Sequence, residues 1–128
     1  TSLELEVIES TAGYCFSPAE GMEPVRALPV FHGGSYICMG FDFFASTTHR
    51  TVYLSDISGV PEDTMKALCS SHIETLIVDA LHKEFDHAAH FSLRKAISFV
   101  KNLKPTRAFF VGMFCDIDHE STNEELGM

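Results

Sequence analysis

Hydrophobic and polar positions change rhythm about half-way along this chain. From Leu3 to Ile8, Leu and Val alternate with Glu, the period-two pattern of a strand. A stretch rich in Gly, Ser and Pro, from about Thr11 to Glu23, reads as a loop. Val25–Val30 reads as a second strand, with Pro29 at its end or edge because proline has no N–H to give a ladder. Phe31-His32-Gly33-Gly34 breaks the pattern, and its glycines allow a sharp turn. Tyr36–Phe44 is then a long apolar strand and Arg50–Leu54 another, joined by the polar hairpin linker Ser46-Thr47-Thr48-His49.

After Ser55-Asp56 the spacing lengthens. Pro61-Glu62-Asp63 starts a helix, since proline fits the first turn and acids suit the positive end of the helix dipole. Met65, Leu68 and Cys69 supply its apolar face. Ile73–Val78, ending in Asp79, has the mark of a strand buried on both faces. A His-rich loop, Leu81 to His90, leads to Ser92, a good N-cap for a helix over Leu93–Leu103 with Ala96, Ile97, Val100 and Leu103 on one side. Pro105 stops that helix, Ala108–Val111 is another strand, and His119–Leu126 is an acidic helical tail. The first half is thus all β, and the second alternates strands and helices. That order implies a sheet whose later strands are covered by helices.

Composition narrows the function classes. A net charge of −9 argues against a broad nucleic-acid surface, because phosphate neutralisation needs clustered Lys and Arg. Arg94, Lys95, Lys101, Lys104 and Arg107 gather around one helix and read as a solvated face. No apolar run approaches the ~20 residues of a membrane span, and the opening TSLELEVIES has no secretory signal pattern. Cys15, Cys38, Cys69 and Cys115 stand far apart, which reads as reduced thiols and a cytoplasmic location.

Three polar residues follow predicted strands: His32, Asp56 and His90. Loops converge beyond strand ends, and a His and an Asp held there can share a Zn²⁺ or Mn²⁺ ion. The same residues also have plain readings. A His beside Gly-Gly is often a turn residue, and an Asp before Ile-Ser-Gly often caps or turns the chain. His82, His87 and His90 lack the spacing of a structural zinc motif, so Asp79 and Asp86 read as hydrogen-bond acceptors in that loop, with Asp79 a candidate to orient a ligand.

Longer stretches resemble a known superfamily. Leu28-Pro29-Val30-Phe31-His32-Gly33, followed by Met39-Gly40-Phe41-Asp42-Phe43, resembles the P-x-x-H-G and G-F/Y-x-F segments of metallo-β-lactamase-fold hydrolases. Val52 to Pro61 resembles their Y-x-S/T-D-T-x-G-x-P strand end. Leu76 to Leu81 with Ala89 to Leu93, and Lys104 to Ala108 with Val111 to Glu120, resemble later segments in the same order. The nearest branch is the cyclic-phosphodiesterase-like one.

The resemblance implies an α+β chain of the αββα type, the C-terminal half of a metallo-β-lactamase sandwich, with a mixed sheet and helices on one face. Residues 1–128 would be a single partial domain lacking the N-terminal H-x-H-x-D-H half. His32 would ligate a first metal, and Asp56 would bridge two. His90 would support a ligand or act as general acid. The cofactor would be a divalent metal, Zn or Mn, the nucleophile a metal-bound hydroxide, and the substrate a small phosphate ester.

Two departures matter. The H-x-H-x-D-H motif is absent and His49 is isolated, so His32 and Asp56 alone fall short of the three protein ligands usual at catalytic zinc. Gly112 stands where many members place their last metal-binding histidine; Cys115 stands where relatives often carry another His, with His119 nearby. Cys115 is a candidate ligand or simply a small buried side chain. The expectation is part of a metal-dependent hydrolase, a phosphodiesterase, inactive as this fragment. The alternative is a non-catalytic scaffold or interaction protein with a degenerate metal site. In either case an apolar sheet face would seek the missing N-terminal half or drive self-association.

Overall fold

A computed structural model describes Leu5, Val7, Ile8 and residues 13–127. The strand expected over Leu3–Ile8 lies largely outside the described residues; of that stretch, Leu5, Val7 and Ile8 are in no regular element. Six strands and three helices follow: β1 Cys15–Phe16, β2 Val25–Phe31, β3 Ile37–Phe43, β4 Thr51–Leu54, α1 Glu62–Leu68, β5 Thr75–Asp79, α2 Leu93–Leu103, β6 Arg107–Val111 and α3 His119–Glu125. The expected loop at 11–23 therefore contains a short strand, β1, which pairs Cys15 with Arg26 and Phe16 with Val25.

The sheet runs in sequence order, β1-β2-β3-β4-β5-β6, antiparallel as far as β4 and parallel from β4 to β6. Parallel neighbours require crossovers, and α1 and α2 provide them. Pro29 pairs with Met39 inside β2, not at its end. Its carbonyl points away from β3 and accepts the Thr64 hydroxyl of α1 at 2.7 Å. Because N–H and C=O of one strand residue point the same way, proline here removes no bond to β3.

Alternation decides what each face buries. Leu28, Val30, Val52, Leu54, Leu76 and Val78 share one face and form a single core with Leu68 of α1 and Leu93, Ala96 and Phe99 of α2. On the other face, Phe41, Tyr53, Ile77 and Phe109 stand in register across β3 to β6. Tyr53 and Phe109 remain 38% and 48% exposed. β5 is thus not buried on both faces as its apolar run suggests: Leu76 and Val78 are buried, while Ile77 is only half-covered. Helices occupy one side of the sheet, and Ile77 lies on the other.

Two helix stripes also shift from expectation. In α2, Phe99 is buried against Phe91 with ring centroids 5.6 Å apart, whereas Ile97 is half-exposed. In α1, Thr64 rather than Cys69 is buried, and Cys69 caps the helix in the open. Ser92 caps α2, its hydroxyl oxygen accepting the Lys95 N–H, and Lys104 ends it with φ 51°, a left-handed stop immediately before Pro105.

A buried ion network holds the end of the sheet opposite the strand termini that matter below. Arg50 and Asp42 are each fully buried. The Arg50 guanidinium donates to both Asp42 oxygens at 3.0 and 2.9 Å. It also donates to the carbonyls of Ala67, Leu68 and Ser71. Arg26 pairs with Asp42 as well, so the cluster carries one positive charge in excess. The cation sits where the last carbonyls of α1 concentrate negative potential.

Candidate metal centre

The strand directions bring the predicted residues together. β2 runs antiparallel to β3 and β3 to β4, so β2, β4, β5 and β6 all end at the same edge. His32 follows β2, Asp56 follows β4, His90 lies beyond β5, and Gly112 follows β6. His49, between β3 and β4, is left at the opposite edge.

Backbone bonds stitch these four loops into a web. Phe31 and the Ser58-Gly59 turn exchange bonds of 2.9 and 2.6 Å, and Phe91 donates to Ile57 at 2.7 Å. Leu81 donates to Phe91 and Phe114 to Leu81, at 2.9 and 2.8 Å. Gly33 adopts φ 81° and its N–H donates to the Ser58 hydroxyl at 2.9 Å. A side chain at Gly33 would also crowd Ala89, whose Cβ would lie 3.3 Å away. Glycine therefore lets the His32 loop approach the His90 loop.

His32, Asp56 and His90 each offer a donor atom, and the three atoms lie within 4.8 Å of one another. Both imidazoles are held through Nδ1. His32 Nδ1 donates to the Ala89 carbonyl at 2.9 Å, which leaves Nε2 with the lone pair in the neutral ring. His90 Nδ1 bonds Asp79 Oδ2 at 2.7 Å and lies 3.8 Å from Asp56 Oδ1. Asp56 carries φ 52°, the left-handed region that aspartate visits only at some cost, and its carboxylate is mostly exposed. Asp79 is 2% exposed. Burial pushes its carboxyl above the usual range, and the bond and charge of His90 pull it back.

This donor set suits a divalent cation. Donors bound at ~2.1 Å cannot be more than ~4.2 Å apart, so small rotations of the three side chains would close the cluster onto one ion. His90 thereby stands with His32 and Asp56 around the space one ion would fill. Cys115 is exposed and does not join the cluster, nor does His119. Gly112 stands against Asp79: a Cβ built on it would lie 2.5 Å from Asp79 Oδ1, and its φ of 74° is one that side chains resist. The carboxylate that holds His90 occupies the space a side chain at 112 would need.

Comparisons with known proteins bear on the fold. No protein-family model matches the sequence, and no curated protein does. Among solved structures, the fold superposes on one described as a new diphosphatase from the PhnP family, with a TM-score of 0.77. That match has 27% identity and covers 95% of this chain but 42% of the other. It also superposes on YhfI from Bacillus subtilis, a metallo-β-lactamase fold protein, with a TM-score of 0.61 and 18% identity, over 86% of this chain and 46% of that one. This is a metallo-β-lactamase-fold chain. It spans less than half the length of either structure. The three converging side chains lie at the strand ends, where ligands gather in layered α/β folds. Among the described residues no helix is long and apolar enough to cross a membrane.

Proposed function

We propose that this chain forms one wall of a divalent-metal phosphodiesterase acting on a small phosphate ester. The observation that carries the reading is the convergence of His32, Asp56 and His90 at one sheet edge, with each imidazole held by its Nδ1. A bound Zn²⁺ or Mn²⁺ would acidify water and offset phosphate charge. His32 and Asp56 would hold the cation. His90 would pass a proton to the departing oxygen, since imidazole titrates near neutral pH. Asp79 keeps the His90 ring in one orientation. Two protein donors fall short of the three usual at a catalytic zinc, so the set would need groups from elsewhere, and turnover by this chain alone should be slight. The four unpaired cysteines fit a cytosolic setting.

Calorimetric titration of the chain with Zn²⁺ and Mn²⁺ tests this, together with turnover of a bis-nitrophenyl phosphate. One ion per chain is expected, with affinity falling at least about tenfold in His32→Ala and Asp56→Ala. His90→Ala should lower any turnover more than it lowers metal affinity. Unchanged affinity in the first two variants would refute the centre.

A further inference from the structure

The turn after β4 is the hub of the strand-end loops, and one of its side chains has no part in the proposed hydrolysis. Phe31 and Gly59 pair there in an isolated antiparallel bridge. The Ile57 carbonyl accepts the Phe91 N–H at 2.7 Å, and the Ile57 N–H donates to the Asp79 carboxylate. Ile57 itself is fully buried, which anchors the turn between those bonds. Residues 56–59 are thus tied to the loops that carry both candidate histidines. Most of these ties run between backbone groups. Among the described residues, the Ser58 hydroxyl is the side-chain link between the β2 and β4 loops.

That hydroxyl grips His32 from both sides. It donates to the Phe31 carbonyl at 3.1 Å and accepts the Gly33 N–H at 2.9 Å. The first group belongs to the peptide plane before His32 and the second to the plane after it. One oxygen bound to both planes fixes the two soft torsions of residue 32 against each other. The reach of the imidazole follows, with Nδ1 set 2.9 Å from the Ala89 carbonyl. Stability alone does not call for the hydroxyl. The Phe31 carbonyl also accepts the Ser58 N–H at 2.6 Å, and Gly33 is only half-buried, where water can take over its N–H.

We infer that Ser58 is a positioning residue: its hydroxyl sets the His32 ring, and with it the Nε2 lone pair, for a cation at the His32–Asp56–His90 centre. This rests on the metal reading of that centre and adds to it a side chain that offers the ion no donor of its own. Ser58 lies two residues after Asp56, so the same clamp fixes the spacing between the β2 imidazole and the β4 carboxylate. Without the hydroxyl, Phe31 and Gly59 still pair, but residue 32 regains torsional freedom and its ring leaves the Ala89 carbonyl for part of the time. Groups that orient a metal ligand without touching the metal account for about ten- to a hundredfold in metal affinity.

NMR of the metal-free full chain reads the positioning itself. In the parent, long-range proton–nitrogen spectra should show neutral His32 as its Nδ1–H form; in Ser58→Ala both tautomers should appear. Calorimetric titration with Zn²⁺ should then show affinity lower by about tenfold in Ser58→Ala. Ser58→Thr keeps a hydroxyl and should return both readings toward the parent, whereas Ser58→Val, of the same shape without it, should not. Thr64→Val separates stability from positioning. It removes a buried hydroxyl bonded to the Pro29 carbonyl at 2.7 Å, so it should lower the urea midpoint and leave the His32 signals in place. Unchanged Zn²⁺ affinity in Ser58→Ala overturns the inference whatever the tautomers do. So does a failure of Ser58→Thr to outperform Ser58→Val, or a change in the His32 signals of Thr64→Val equal to that in Ser58→Ala. A parent that binds no Zn²⁺, while its His32 tautomer still depends on the Ser58 hydroxyl, keeps the positioning and fails the metal reading.

Discussion

Removing the Arg50 side chain is the sharpest perturbation of this fold. The guanidinium is fully buried and donates to Asp42 twice and to the carbonyls of Ala67, Leu68 and Ser71. In Arg50→Leu those three carbonyls lose their buried donor, and Asp42 keeps only Arg26. Breaking a buried pair by removing one partner costs about 3–5 kcal/mol, against a total stability of about 5–15 kcal/mol for a domain. The variant should therefore lose from about a fifth to all of its stability. Urea unfolding followed by far-UV circular dichroism measures this, read as a lower midpoint at unchanged slope. Two controls sharpen it. Lys66→Ala breaks only exposed pairs to Glu62 and Asp63 and should leave the midpoint in place. Asp42→Leu/Arg50→Met, which removes both charges for apolar groups, should recover part of the loss. A loss below about 1 kcal/mol in Arg50→Leu would mean that the network stabilises little, against the expectation for a buried pair.

Two further outcomes are expected. Burial raises the Asp79 carboxyl above its usual value of 3.8, so the folded chain holds a proton that the unfolded chain has released. That contribution is present below the usual value and is lost as pH rises through the raised one; Asp79→Asn should flatten the slope, and parallel midpoint-against-pH curves for the two proteins would contradict it. The sheet face bearing Phe41, Tyr53, Ile77 and Phe109 should be covered by further polypeptide of the same fold or, failing that, by a second copy. Light scattering should accordingly show self-association of the isolated chain that Tyr53→Lys/Phe109→Lys abolishes, and a clean monomer at high concentration would count against it.

The order and type of the main elements could be read from the sequence because they depend on local spacing. The apolar runs of the first half became β2 to β4, and three- and four-residue steps with Ser92 and Pro105 as boundaries became α2. The short β1 escaped notice since two residues carry no period, and its pairing with β2 depends on a partner across the sheet. Phe99 escaped as a core residue because the buried stripe of α2 is set by where β5 and β6 lie beneath it.

His32, Asp56 and His90 were legible as candidates, the first two standing just past a strand and His90 in the loop after one. Their meeting was expected only through the resemblance, not from local spacing. His32 reaches a carbonyl 57 residues away, and only the parallel course of β2, β4 and β5 brings the ends of those strands to one edge. The sequence by itself determined which side chains could bind a cation and which stretches would be strands or helices, because both depend on residue type and near neighbours. The tertiary structure alone decided that Asp79 holds His90, that Arg50 is buried on Asp42, and that Cys115 stays apart. Those outcomes depend on strand register and on bonds between distant loops, which local periodicity does not encode.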